Sequence, residues 1–214
     1  MKLPDVINIF NLHIYTFGVF LVLGLLFSIF VIWYEGRKDG FDEDKFFDLF
    51  VISSLSGLFL GRIFFVFRNN YIFEAGLIHI IKFWTDGIDP VGVFIGVFIP
   101  LFIFSRYWKW SIYRLLDIYA LSMSLGFSIV LLGYVGLQRR FEFLVAFALW
   151  LLLYALLSKY RNVKLKSGVA FSIFLIANVF LGVLFFRSLF QLIFYGLLVI
   201  FSMLNLFFRV RNQV

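Results

Sequence analysis

Seven apolar runs divide this sequence, and most are long enough to cross a membrane as a helix. A helix needs about 20 apolar residues to span the hydrocarbon core, and continuous runs favour helices over the alternating pattern of a membrane barrel. We predict an all-α integral membrane protein, a single polytopic domain over residues 1–214 with about seven transmembrane helices. The predicted spans are Ile14–Tyr34, Phe46–Phe67, the short Val91–Ser105, Leu115–Leu137, Phe141–Leu157, Val169–Phe186 and Leu189–Phe208.

Composition supports this class and excludes others. The chain is 63% hydrophobic and only 14% charged, whereas a soluble domain carries about 25% charged residues. The absence of cysteine excludes disulfides, thiolate metal sites and a covalent thiol intermediate on this chain. We expect no metal, no cofactor and no nucleic-acid partner. Lys2 is soon followed by Asp5 and then by a full span, so no cleavable signal is expected.

The distribution of cations predicts the orientation. If the N-terminus is outside, 12 of the 19 Lys and Arg residues fall on inner segments, six on outer segments and Arg62 within a span. The positive-inside rule therefore predicts an outer N-terminus and a cytoplasmic C-terminus. The basic pI of about 9.7 then reflects cations that face anionic lipid.

Two features of the second span have structural explanations. Asp42 and its acidic neighbours lie where that helix begins, and carboxylates at this position cap a helix and favour its dipole. Gly57 and Gly61 are four residues apart, a spacing that lets two membrane helices approach closely. We therefore predict a helix cap rather than a metal site, and a close helix crossing.

Ionisable groups in or beside the spans are the candidate functional residues, because a charge in hydrocarbon is costly. Arg62 could bind a lipid headgroup or pair with Glu142. Tyr15 is typical of a membrane anchor, although the neighbouring His13 could act as a base. For Asp117 we favour an ion pair with Arg114 or Lys109.

Several outer segments are also of interest. Glycine, proline and aspartate are frequent between Trp84 and Gly96, and irregular backbone at membrane depth requires cover by protein or a cavity. Together with Ile78–Phe83, this stretch is predicted to be re-entrant or interfacial. Further cations that could attract lipid phosphate are Arg139, Arg140 and Arg187.

The order of these pieces resembles the prolipoprotein diacylglyceryl transferase family. The motifs are LHIYTFG entering span one, LGRIFFVFRNN ending span two, then WTDGIDPVGVFIG and SIYRLLD, over residues 12 to about 137. The resemblance implies a seven-span, multi-pass protein of a bacterial-type plasma (inner) membrane. It also implies transfer of a diacylglyceryl group from phosphatidylglycerol to a lipobox cysteine thiol. The implied partners are phosphatidylglycerol and prolipoprotein signal peptides.

Site residues carry over by position. The family's tyrosine, histidine, glycine, arginine, asparagine, aspartate and glutamate fall on Tyr15, His13, Gly61, Arg62, Asn69 or Asn70, Asp117 and Glu142. The resemblance assigns proton transfer to Tyr15 and His13. It assigns headgroup binding to Arg62, with Arg139, Arg140 and Arg187 as further cations. Polar or structural support falls to Asp117, Glu142, Asn69, Gly61 and Gly133.

Three signature positions depart from the family. Its histidine at the start of span three corresponds to Val91 here, and its span-four arginine and asparagine correspond to Leu131 and Tyr134. The family's outer head segment between spans four and five is also missing. Transfer needs a base for the thiol proton and donors for the departing glycerol phosphate, so these departures bear on activity.

Three hypotheses follow from the sequence. The first is a divergent diacylglyceryl transferase, which predicts that Arg62, His13, Tyr15 and Glu142 converge on one cavity. The second is a catalytically degenerate relative that binds phospholipid or lipoprotein signal helices. The third is an unrelated membrane transporter, although the pseudo-repeats typical of transporters are not evident.

Overall fold

The computed structural model describes residues 3–9, 12–69, 87–138, 141–161, 167–185 and 189–211. Seven helices lie in these ranges. They are α1 (Thr16–Lys38), α2 (Glu43–Arg68), α3 (Pro90–Tyr107), α4 (Ile112–Gln138), α5 (Phe141–Arg161), α6 (Val169–Phe185) and α7 (Leu189–Arg211). The residues outside the described ranges include Arg139, Arg140, Arg187, Asn70 and residues 78–86 of the predicted re-entrant segment. In the described remainder of that segment, α3 begins at Pro90.

Length and composition identify membrane spans among the described helices. Five of them, α1 to α5, are long and apolar enough to cross a membrane. In the described part of α6 and α7 the apolar segments are shorter, at Val169–Leu181 and Gly196–Asn205. The predicted class of an all-α integral membrane protein is confirmed.

A short hairpin precedes the first helix, which differs from the prediction that a span begins at Ile14. Strands β1 (Val6–Ile9) and β2 (Leu12–Tyr15) pair antiparallel, with Asn8 opposite His13. The segment is tied to the bundle because Leu3 donates to the Gly136 carbonyl near the end of α4, at 3.0 Å. We call this end of the bundle the hairpin end, and the other end the opposite end.

Helices α2 and α3 meet backbone to backbone. A Cβ on Gly92 would lie 2.8 Å from the Cα of Gly61, and a Cβ on Gly96 would lie 2.7 Å from the Cα of Gly57. Four glycines, two on each helix, therefore form the crossing. The close approach predicted from the glycine spacing is present.

Helices α1 and α4 cross through a pair of serines. Ser28 donates to the Ser122 carbonyl at 3.1 Å, and Ser122 donates to the Ser28 carbonyl at 3.2 Å. One turn along α1, a Cβ on Gly24 would lie 3.0 Å from the Gly126 carbonyl oxygen. The reciprocal bonds satisfy both hydroxyls inside the bundle.

The opposite end is held by charges. Arg161, the last residue of α5, lies 3.0 Å from a Glu35 oxygen and 2.6 Å from an Asp39 oxygen. Lys38 also pairs with Glu35, at 3.0 Å. Asp42 accepts from the backbone N–H of Lys45 at 3.1 Å, so it caps α2 as predicted.

Asp117 caps a helix to which it does not belong. Its carboxylate, on α4, accepts from the backbone N–H groups of Gly168, at 2.6 Å, and Phe171, at 2.8 Å. These groups open α6, where the first N–H groups have no partner within the helix. The ion pair of Asp117 with Arg114 or Lys109 stays a prediction. The described contacts are with backbone N–H groups, which fix α6 against α4.

Candidate functional site

A cavity of about 750 Å³ occupies the hairpin half of the bundle and reaches its middle. All of the first six helices contribute to its lining. Glu142 is exposed and also lines the cavity, so the cavity reaches the surface near the beginning of α5.

The lining is mainly apolar. Phenylalanine, leucine and valine from α1, α3 and α4 make up much of the wall, with Trp150 from α5. Among the described lining residues the ionisable side chains are Tyr119, Tyr134 and Glu142, and none is a lysine, arginine or histidine. Such a wall suits hydrocarbon, with a few polar groups to fix orientation.

The polar groups at the inner end of the cavity mostly bond to the protein itself. The Tyr119 hydroxyl lies 3.0 Å from the Ser53 hydroxyl, and Ser53 also donates to the Phe50 carbonyl at 3.0 Å. Ser28 and Ser122 are satisfied by their reciprocal bonds. These side chains line the inner end of the cavity and place no charged group there.

Aromatic rings border the cavity towards the hairpin end. Tyr134 lies between Phe17 and Phe143, with ring centroids 5.5 Å and 5.2 Å away. The Tyr134 and Phe143 rings are nearly parallel, at 18°. This stack joins α1, α4 and α5 beside Glu142.

Arg62 does not line the cavity. Its side chain is 6% exposed and donates to the Gly87 carbonyl at 2.7 Å, with its guanidinium 5.4 Å from the Phe65 ring centroid. Next to it, Asp89 caps α3 by accepting from Val91 N–H at 2.8 Å and pairs with Arg68. Arg62 thus contacts the chain that enters α3.

The other predicted residues are spread over the hairpin end. His13 is exposed on β2, and Tyr15 is the residue that precedes α1. Asn69 ends α2 and donates to the Phe65 carbonyl at 2.8 Å. Of the four residues that the transferase hypothesis places on one cavity, Glu142 is among the lining residues, and His13, Tyr15 and Arg62 are not.

The two glycines carried over by position are packing residues. Gly61 lies in the α2–α3 crossing, where an added Cβ would meet Ile88 and Val93 at 2.7 Å. Gly133 packs against Phe20 of α1, whose ring would lie 2.6 Å from an added Cβ.

The signature positions of span four do face the cavity. Leu131 and Tyr134 both line it, whereas Val91 is fully buried and is not a lining residue. The positions that hold arginine and asparagine in the family pattern therefore present an isobutyl group and a phenol here. This makes the wall more apolar where a polar pair was expected.

Sequence reasoning missed the polar residues of the lining on other helices. Asn178 on α6 and Ser54 on α2 line the cavity, and neither was singled out. A lone asparagine in the run FLIANVFLG was the available signal, since polar residues within spans are expensive. The described residues hold no group of three or more His, Asp or Glu side chains that could bind a metal ion.

Comparisons with known proteins all match the same family. The sequence model of the family described as prolipoprotein diacylglyceryl transferase matches residues 4–134. This range includes α1, α2, α3 and most of α4. The match leaves the hypothesis of an unrelated transporter without support.

Individual relatives are similar at low identity. Three proteins named phosphatidylglycerol–prolipoprotein diacylglyceryl transferase match, from Clostridium tetani, Limosilactobacillus reuteri and Listeria welshimeri. Identities are 24% over 125 residues, 29% over 111 and 28% over 120, which cover 58%, 52% and 56% of this chain. The matches cover only 49%, 40% and 43% of those relatives, so the chain spans less than half of their length. Because the family model covers more than half of its residues, the chain is a multi-pass inner-membrane member of the prolipoprotein diacylglyceryl transferase family.

Proposed function

We propose that this protein binds a membrane phospholipid, with its acyl chains in the cavity and its headgroup at the hairpin end. The observation that carries the proposal is the cavity itself, about 750 Å³ and lined mainly by apolar side chains. Phosphatidylglycerol is the first candidate because the names of the similar relatives specify it.

The wall supports acyl-chain binding. Burying a methylene group in apolar surroundings contributes about 0.8 kcal/mol when it is taken from water. From a bilayer that gain is absent, so close packing and the polar groups of the lining must hold the lipid. Rings such as Phe94, Phe127 and Trp150 line the cavity and lie in contact with one another, which gives a rigid surface for packing.

The headgroup is assigned to the hairpin end on charge. In sequence, Arg139 and Arg140 join α4 to α5, and both helices line the cavity. In sequence, Arg187 lies between α6 and α7. Guanidinium groups form paired hydrogen bonds with phosphate, so these three arginines are proposed as headgroup ligands. Arg62 is proposed to position the chain at Gly87 rather than to bind lipid directly.

Transfer to a lipobox cysteine is the second candidate, favoured by the family match. In that reaction the thiol sulfur attacks a glyceryl carbon, the carbon–oxygen bond to the glycerol phosphate breaks, and a base takes the thiol proton. His13 or Tyr15 would have to supply the base, and neither lines the cavity. The apolar Leu131 offers no donor for the departing phosphate. Binding without transfer is therefore the function that the geometry supports best.

Adjacent residues on α4 provide a matched test. Leu131 lines the cavity, whereas Leu132 is 41% exposed on the surface of the bundle. We expect Leu131→Trp to narrow the cavity and lower phosphatidylglycerol binding by about tenfold, about 1.4 kcal/mol, and Leu132→Trp to leave it unchanged. Native mass spectrometry of the purified proteins in detergent measures the bound lipid.

Equal binding by both variants would contradict the cavity as the lipid site. Incubation of the same wild-type protein with labelled phosphatidylglycerol and a lipobox peptide tests the second candidate. Lipid binding without label on the peptide is the expected result. Label transferred by wild type and lost in Leu131→Trp would make this chain a transferase.

A further inference from the structure

Asn178 is a polar side chain inside the bundle that has no hydrogen-bond partner among the described residues. It is 5% exposed and lines the cavity from α6. Within the described part of the chain its amide makes no hydrogen bond and no ion pair. A buried amide without a partner is unfavourable by about 1–3 kcal/mol, so the position calls for an occupant of the cavity.

Other buried polar side chains of α6 and α7 have partners. Ser172, six residues before Asn178 on α6, donates to the Gly168 carbonyl at 3.0 Å and accepts from Asn205 at 2.9 Å. Ser202 of α7 donates to the Ser172 carbonyl at 2.9 Å. Asn178 is the exception among these three, and it is the one that lines the cavity.

The depth of Asn178 in the cavity restricts which part of a bound lipid its amide can contact. It lies seven residues before the end of α6 at Phe185, which is about 10 Å along the axis at 1.5 Å per residue. This is below the hairpin end, in a part of the cavity whose described lining carries no cation. A phosphate at this depth would have no described charge partner.

A side-chain amide has two N–H donors and carries no charge. These donors suit a neutral acceptor such as the carbonyl oxygen of a fatty-acyl ester. Ser54 on α2 is a second lining residue whose hydroxyl makes no hydrogen bond to the described residues. Both groups are neutral and can donate to an ester carbonyl.

We infer that Asn178 donates a hydrogen bond to an ester carbonyl of the lipid in the cavity, so that the protein selects glycerolipids with ester-linked chains. This inference rests on the proposed phospholipid-binding function. It adds a property that an apolar cavity alone lacks, because a purely hydrocarbon wall cannot tell an ester from an ether linkage.

The test compares two lipids that differ only in this linkage. Wild-type protein in detergent is given equal amounts of diacyl phosphatidylglycerol and its di-O-alkyl analogue with the same chain lengths. Native mass spectrometry gives the ratio of the two bound species. We expect the ester lipid to be favoured by about three- to tenfold, as one hydrogen bond allows.

The variant Asn178→Leu removes the donors at similar volume, and we expect a ratio near one with both lipids still bound. Phe180→Leu is the control, because Phe180 is 68% exposed on the same helix, and it should keep the wild-type ratio. An unchanged preference in Asn178→Leu, or none in wild type, would overturn the inference while leaving lipid binding intact. No bound lipid of either kind would instead count against the proposed function.

Discussion

The two ends of this bundle are built differently. At the opposite end, side chains with charge bond to one another or to helix ends, as in the ion pairs of Arg161 with Glu35 and Asp39. At the hairpin end the helices enclose a cavity, and one of its polar side chains, Asn178, has no described partner.

Aromatic packing follows the same division. At the opposite end Phe41, Phe46 and Trp110 form a closed cluster, with ring centroids 4.9 to 5.9 Å apart. At the hairpin end Tyr134 and Phe143 border a space. The comparison indicates that ion pairs and packed rings hold the helices together at one end, whereas the cavity makes the other end available for a ligand.

The largest effect is expected from the cap on α6. Asp117→Ala leaves the Gly168 and Phe171 N–H groups without their acceptor, and we expect the free energy of unfolding to fall by about 2–4 kcal/mol. Asp117→Asn keeps one acceptor oxygen and should lose about half as much. Thermal unfolding of the purified variants in detergent measures both. Equal losses would indicate that charge, not hydrogen bonding, matters at this position.

A smaller loss is expected from the ion cluster. Arg161→Met removes the partner of Asp39 and one partner of Glu35, although Lys38 still pairs with Glu35. We expect a loss of about 1–2 kcal/mol, below that for a fully buried pair because one partner remains. The unfolding midpoint checks this value, and Arg106→Met on α3 serves as the charge-matched control. A shift no larger than that of the control would weaken the contrast between the ends.

At the hairpin end we expect a substitution to change lipid binding more than stability. Leu131→Trp is expected to change the unfolding midpoint by less than Arg161→Met does, because space exists beside it, while it lowers lipid binding. A large loss of stability in this variant would mean that the cavity cannot hold a larger side chain. It would contradict the difference drawn between the two ends of the bundle.

The smallest effect concerns the cap of α2. The hydrogen bond from Lys45 N–H holds the pKa of Asp42 below its ordinary value of 3.8. A lowered carboxyl pKa stabilises the fold above the unfolded value and loses that contribution as the pH falls through the folded one. The difference in unfolding midpoint between wild type and Asp42→Ala should therefore be small at neutral pH and shrink below pH 3.8. A difference that stays constant under acid conditions would contradict this assignment.

Patterns within one span were predictable from the sequence. The apolar runs predicted membrane helices, and the Gly57–Gly61 spacing predicted the close crossing with α3, because both depend on local periodicity. The acidic start of α2 likewise predicted its cap. The hairpin at Val6–Tyr15 was not predicted, since its short alternating strands precede a long apolar run that also favours helix.

Contacts between distant residues were the part that the sequence could not supply. Asp117 caps a helix about 50 residues further on, and no local pattern pairs it with Gly168. Arg62 was predicted to bind a headgroup because a buried charge usually marks a site, and that assignment stays a prediction. Its hydrogen bond to the Gly87 carbonyl joins residues 25 apart, which no local pattern indicated. The cavity arises from six helices at once, so its lining, including Asn178, required the structure.

The four-glycine crossing has a mechanical consequence. Where main chain rests on main chain, no side chain is available to change rotamer and let one helix slide past the other. Helices α2 and α3 should therefore move as one rigid wall. Any breathing motion that admits a lipid sideways must come from the helices on the far side of the cavity.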